Sequence, residues 1–186
     1  MKQGKNINMQ DRIVSHQAKI GKNVKIGEYS IIEANVVIND DVEIGNYCVL
    51  RDGVTIGRGC TLKNHIELRS GTTIMDDCFI DSYVASSGNC HIGKNVTLRY
   101  GTIIARGVSI GENSYLSPRV MTNNLDSSKG AIGGAKIGAN CFIGTQAVLH
   151  HGITLVDNVI VGSMAFVNKD CSEKGTYVGI PAKKIN

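Results

Sequence analysis

An aliphatic residue returns at every sixth position through most of this chain, and few folds can satisfy that spacing. The series runs Ile20, Ile26, Ile32, Ile38, Ile44, Leu50, Ile56, Leu62, Leu68, Ile74, Ile80, then Ser86, Ile92, Leu98, Ile104, Ile110 and Leu116. The phase breaks over Met121 to Lys136 and resumes at Ile137, Ile143, Leu149, Leu155, Val161 and Val167. Six residues turn an α-helix by about 600°, so a helix would scatter these side chains instead of gathering them. A coil of short strands and corners can turn every one of them inward. The 22 glycines, the two prolines and the lack of tryptophan agree with short strands joined by tight turns.

The rest of each hexad supports the same reading. A small or β-branched residue follows four places after the aliphatic one, as at Val24, Ser30, Val36, Val42, Cys48 and Val54. Glycine often follows the aliphatic residue directly, as at Gly21, Gly57 and Gly111, and Gly, Asn or Asp is frequent three places after it. These are the residue types that tolerate positive φ in a corner. Three hexads, 18 residues, then close one triangular coil, and stacked coils build three parallel sheets with a rise of about 4.8 Å. The expectation is a single all-β domain over residues 1–186, with a lead-in over 1–17 and an inserted loop over 121–136.

The six cysteines Cys48, Cys60, Cys78, Cys90, Cys141 and Cys171 all fall on the narrow inward position. They are expected to be buried thiols filling the core, which points weakly to a cytoplasmic protein. No run of 18 apolar residues is present, so no membrane-spanning helix is expected. The opening Met1-Lys2-Gln3-Gly4 leads into no apolar stretch, so no signal peptide is expected. A net charge of +4, scattered along the chain, does not point to nucleic acid.

The pattern Ile-Gly-x-x-(small)-x over residues 13–183 resembles the hexapeptide-repeat acyltransferases. The ending Val178-Gly179-Ile180-Pro181-Ala182-Lys183 looks like the Gly-x-Pro-Ala-Lys terminus of acetyltransferases of that kind. The stretch Gly152 to Ile185 is most similar to N-acetyltransferases acting on nucleotide-linked amino-sugars. The resemblance implies a left-handed coil, a homotrimer with the acyl site between subunits, and acetyl-CoA or another acyl-CoA as co-substrate. It implies no metal, and it implies transfer to a sugar amine in surface-polysaccharide biosynthesis. It also implies that Gly179, Lys183 and Lys184, with His151, hold the coenzyme. Thr122-Asn123 resembles the opening of the relatives' loop, so Asn123 and Asn124 are expected to touch substrate.

Thioester transfer needs a base at the acceptor and a donor for the carbonyl oxygen. Laid in threes, the hexads give three columns of corners. One of them, Lys63-Asn64-His65, Asp81-Ser82-Tyr83, Arg99-Tyr100-Gly101 and Ser117-Pro118-Arg119, departs from ordinary turn chemistry and approaches the inserted loop. Large side chains in corners that favour Gly or Asn suggest a site. The expected catalytic set is His65 as base, Asp81 beside it and Arg99 facing the thioester oxygen, with Tyr83, Tyr100 and Arg119 binding substrate. The rival readings are an O-acetyltransferase acting on a sugar or serine hydroxyl, a γ-class carbonic-anhydrase-like metalloprotein, and a non-catalytic solenoid.

Overall fold

A computed structural model describes residues 12–130 and 133–186 of the protein. Among the described residues, short strands separated by corners line up in three sheets of nine, eight and ten strands. All but the last strand pair in parallel with the strand one coil away, so Ile32 lies beside Leu50, Leu50 beside Leu68, and Leu68 beside Ser86. The six-residue period thus places each inner residue on one sheet, and the 18-residue period stacks like on like. This is the parallel β-helix that the repeat implies, of the left-handed kind that the family resemblance implies, and no described helix is long and apolar enough to cross a membrane. The coiling begins at Ile13–Val14, which pairs with Ile31–Ile32, earlier than the lead-in over 1–17 allows; residues 1–11 of that lead-in lie outside the described residues.

Within a strand the second residue is inward and buried while the first faces out. Full burial of an Ile or Leu side chain contributes about 1.5–3 kcal/mol, so the stacked Ile38, Ile56, Ile74 and Ile92 make a strong core ladder. All six cysteines are buried and free, as the inward position requires. Ser86, the exception in the aliphatic series, is also buried. Its hydroxyl accepts from the Arg69 backbone N–H at 3.1 Å and lies 2.8 Å from Thr72 Oγ1, so the polar group is satisfied inside the core.

The two corner positions obey different constraints. At Gly57, directly after the aliphatic residue, the next coil leaves no room for a side chain: a Cβ there would sit 2.4 Å from the carbonyl carbon of Met75. Two places later the backbone adopts positive φ, as at Asn23, Asn35, Asp41, Asn95 and Asn140. The hexad phase persists one step beyond Leu116, to Thr122, whose buried hydroxyl accepts from the Ala105 N–H at 2.7 Å. The excursion is therefore 123–135, tighter than the expected 121–136, because Met121–Thr122 and Lys136–Ile137 are strands of the regular stack. Gly133 has positive φ, and its carbonyl accepts from Gly152 N–H at 3.0 Å as the Gly88 carbonyl accepts from Gly107 N–H in an earlier coil, which restores the register.

The outer faces differ in polarity. The nine-stranded sheet presents Ile31, Val49, Ala85, Ile103, Met121, Val148 and Phe166 along its outer row, interrupted by the charged Glu67 between Val49 and Ala85. The eight-stranded sheet presents Thr55, Thr73, His91, Ser109 and Thr154. At the far end, Tyr177 and Val178 pair antiparallel with Lys184 and Lys183, closing the ten-stranded sheet.

Candidate functional site

Two corner columns flank the apolar face, and each carries chemistry. In the first, the positive-φ position is occupied by Tyr29, Tyr47, His65 and Tyr83 in successive coils. A left-handed conformation costs an ordinary residue about 1–2 kcal/mol, and here the coil spacing offsets that cost by stacking the rings. Tyr29 and Tyr47 lie 5.1 Å apart, Tyr47 and His65 4.9 Å, and His65 and Tyr83 4.7 Å, with interplanar angles of 12°, 2° and 13°. A stacked aromatic pair is worth about 0.5–1.5 kcal/mol. Tyr100 joins at 5.2 Å but is tilted by 56°.

The ladder changes the picture of the expected catalytic set. Asp81 does not orient His65: its Oδ2 lies 3.4 Å from Arg99 Nε, and its Oδ1 accepts from the Ser82 N–H at 2.8 Å. Arg99 also lies over the Phe79 ring, 5.8 Å from its centroid, with Lys63 Nζ 5.6 Å from the same ring. His65, exposed, is held between two tyrosine rings, and no described carboxylate forms an ion pair with it. Tyr83 and Tyr100 do share one groove with His65, together with Asn46, Tyr47, Asn64 and Ser82. Arg119 occupies the positive-φ corner one coil beyond Gly101 and packs its side chain over that glycine.

The loop belongs to the other column. It replaces the corner between Ala105-Arg106-Gly107 and His150-His151-Gly152, not one in the column of His65, because a strand intervenes between Arg119 and Asn123. Inside the loop, Asp126 Oδ1 accepts from Ser128 N–H at 2.9 Å, from the Ser128 hydroxyl at 2.7 Å and from Gly130 N–H at 2.8 Å. The Ser128 hydroxyl, then the Gly130 amide, hold the Asp126 carboxyl below its ordinary range, with a smaller pull from nearby His151. His150 and His151 lie with ring centroids 3.8 Å apart, and His150 meets Phe166 edge-on at 5.7 Å. His151 Nδ1 is buried without a hydrogen-bond partner among the described residues. Asn123 and Asn124, both half-buried, anchor the loop base, the first donating its N–H to Leu149 O and the second accepting from Gly133 N–H.

The expected coenzyme contacts at the end of the chain are separate in kind. Gly179 has φ of 98° before the Pro181 turn, and Lys183 is exposed on the final strand. Lys184 is committed to an ion pair, 2.6 Å from Glu173 Oε2. Sequence reasoning missed Tyr29 and Tyr47 although their 18-residue spacing to His65 and Tyr83 was the available signal. It missed Asp126 because nothing in the sequence ties a loop carboxylate to a distant histidine.

The bacterial transferase hexapeptide model (six repeats) matches residues 35–65 and 134–169, and the hexapeptide repeat of succinyl-transferase matches 88–118, together more than half the chain. The galactoside O-acetyltransferase of Escherichia coli (strain K12) is 28% identical over 55% of this chain, which spans 56% of that relative's length. Among solved structures, the LpxA of Acinetobacter baumannii superposes with a TM-score of 0.80 at 16% identity, over 95% of this chain and 72% of that one, a likeness of fold. A maltose O-acetyltransferase from Clostridium difficile 630 is 27% identical over 62% of this chain and 68% of its own, with a TM-score of 0.52. With the family models matching the coils that the stacked sheets display, this chain belongs to the hexapeptide-repeat transferase family.

Proposed function

We infer that this chain transfers an acyl group, most simply acetyl, from a coenzyme A thioester to a carbohydrate, at the corner where the loop meets His150 and His151. The observation that carries this reading is the buried, unpartnered Nδ1 of His151. An unsatisfied buried polar atom costs about 1–3 kcal/mol, and such defects persist where a site uses them. The loop that covers this corner interrupts an otherwise regular solenoid, as functional insertions do. His151 then acts as general base through Nε2: it takes the proton of the attacking group while the thioester carbon passes to the acceptor and the coenzyme leaves as its thiol. Arg106, at the equivalent corner position two coils before His151, brings a cation to the same column, its guanidinium beside Gly88.

The resemblance to amino-sugar N-acetyltransferases supports an amine acceptor on a nucleotide-linked sugar. The names of the galactoside and maltose relatives support a sugar hydroxyl. Six free, buried thiols support a reducing, cytoplasmic setting. The apolar outer row of the nine-stranded sheet supports the homotrimer. The deciding experiment incubates the protein with acetyl-CoA and a panel of sugars and nucleotide amino-sugars, follows release of the coenzyme thiol, and then treats the product with hydroxylamine. An ester is cleaved and an amide survives. His151→Asn should lower turnover by about 10²-fold, the lower range for loss of a general base; unchanged turnover, with His65→Asn inactive, would return the base to the other column.

A further inference from the structure

The transfer corner makes no use of the aromatic ladder, yet the ladder borders a groove of about 340 Å³. Tyr47, His65 and Tyr83 form one side, and Asn46, Asn64 and Ser82, each the preceding residue, form the other. Tyr100 closes the groove because its coil is out of phase by one residue: Gly101 takes the positive-φ position and Tyr100 falls in the row of Asn46, Asn64 and Ser82. Tilted by 56° from Tyr83, its ring is not covered by a parallel partner as the other rungs are. The ladder tyrosines are 46%, 49%, 49% and 43% exposed from Tyr29 to Tyr100, so the row faces solvent.

The polar side is oriented in advance. Asn46 Oδ1 accepts from Glu28 N–H at 2.8 Å, and Asn64 Oδ1 accepts from Asn46 N–H at 2.8 Å, which leaves each Nδ2 as a donor. Ser82 Oγ accepts from Asn64 N–H at 3.2 Å, which leaves its own hydrogen to donate. No carboxylate, lysine or arginine lines the groove. A nucleotide's phosphates would find no lysine or arginine there, and the preset donors are amide and hydroxyl groups. A ligand that offers hydroxyl oxygens on one edge and C–H surface on another fits both sides, and that combination is a sugar ring. From Asn46 to Tyr100 the row covers three coil steps, about 14 Å, more than a single sugar needs.

We propose that this groove binds a neutral oligosaccharide, an anchoring site for the acceptor chain away from the transfer corner. The proposal rests on the reading that the acceptor is a carbohydrate. The protein has no tryptophan, and four of its six tyrosines belong to the ladder, so tyrosine emission reports on the groove itself. The full chain is titrated with cellotetraose, maltotetraose and chitotetraose, and with glucose and UDP for comparison. One tetrasaccharide should bind saturably with Kd near or below about 1 mM, with glucose and UDP weaker by roughly tenfold. Tyr100→Ala and Tyr100→Leu, which alter an exposed corner, should each weaken that binding about tenfold at unchanged Tm. The proposal is overturned if no tetrasaccharide binds at about 10 mM, if UDP binds as tightly, or if both Tyr100 variants bind like the wild type. Oligosaccharide binding without acyl transfer would defeat the transfer reading alone, and acyl transfer without oligosaccharide binding would defeat this one alone.

Discussion

A single side chain in this protein is judged by which of six positions it occupies. Ser86 shows how strict the inner position is: a hydroxyl is accepted there because it takes the Arg69 N–H that a neighbouring backbone carbonyl takes in other coils. Ser86→Ala leaves that N–H unsatisfied in the core. It should lower stability by about 1–3 kcal/mol in urea unfolding, whereas a purely hydrophobic account predicts no loss. The buried thiols carry a pH signature. Burial, with the nearby Asp170 charge second, pushes the Cys171 thiol from its ordinary 9.0 to about 11. In the unfolded chain the thiolate forms first, so this contribution to stability is complete below about pH 9 and is lost as pH rises toward about 11. Melting curves across that window should fall more steeply for the wild type than for Cys171→Ala. The inward placement of the cysteines was legible from spacing alone. That Asp81 would choose Arg99 over His65 was not, because two neighbours one coil apart compete for the same carboxylate and only side-chain geometry decides between them.

At the scale of elements, strands and corners are nearly interchangeable units, and the loop is the exception. Its existence was plain from the broken period, but its place was not. The phase survives to Thr122 through a polar residue that no aliphatic pattern would count, which moves the excursion into the corner column of Arg106 and His151. Since Ala135 and Ile137 already stand at inward positions of the regular stack, the solenoid does not need the loop for its register. Replacing 123–134 by a three-residue corner ending in Gly should shift Tm by less than about 4 °C, the equivalent of about 1 kcal/mol in a domain of this size, and abolish acyl transfer. A collapse of the fold would make the loop structural. The aromatic ladder is an element of a different sort, assembled from residues 18 apart that have no contact in sequence.

For the whole molecule the open question is the apolar face. Ile31, Val49, Ile103, Val148 and Phe166 share the outer row of one sheet while the eight-stranded sheet is mostly polar, with Lys19, Thr55, Thr73, His91, Ser109, Lys136 and Thr154 outward. A row of that length exposed on a lone solenoid is the kind of surface that marks an interface. Light scattering should give three times the chain mass, and Ile103→Lys with Val148→Lys should give monomers that stay folded and lose transfer. The outer side chains carry no load in the coil itself, so their charge change should not unfold it. What the sequence determined by itself is the coil: period six and period eighteen each have one geometric solution, since an inward residue must meet its own kind in the next turn. What only the tertiary structure decided is which polar groups meet. Corner side chains are long, solvent-facing and free to pair along the axis or across a corner. Their partners follow from ring stacking, ion pairing and the exit point of a loop, none of which leaves a period in the sequence.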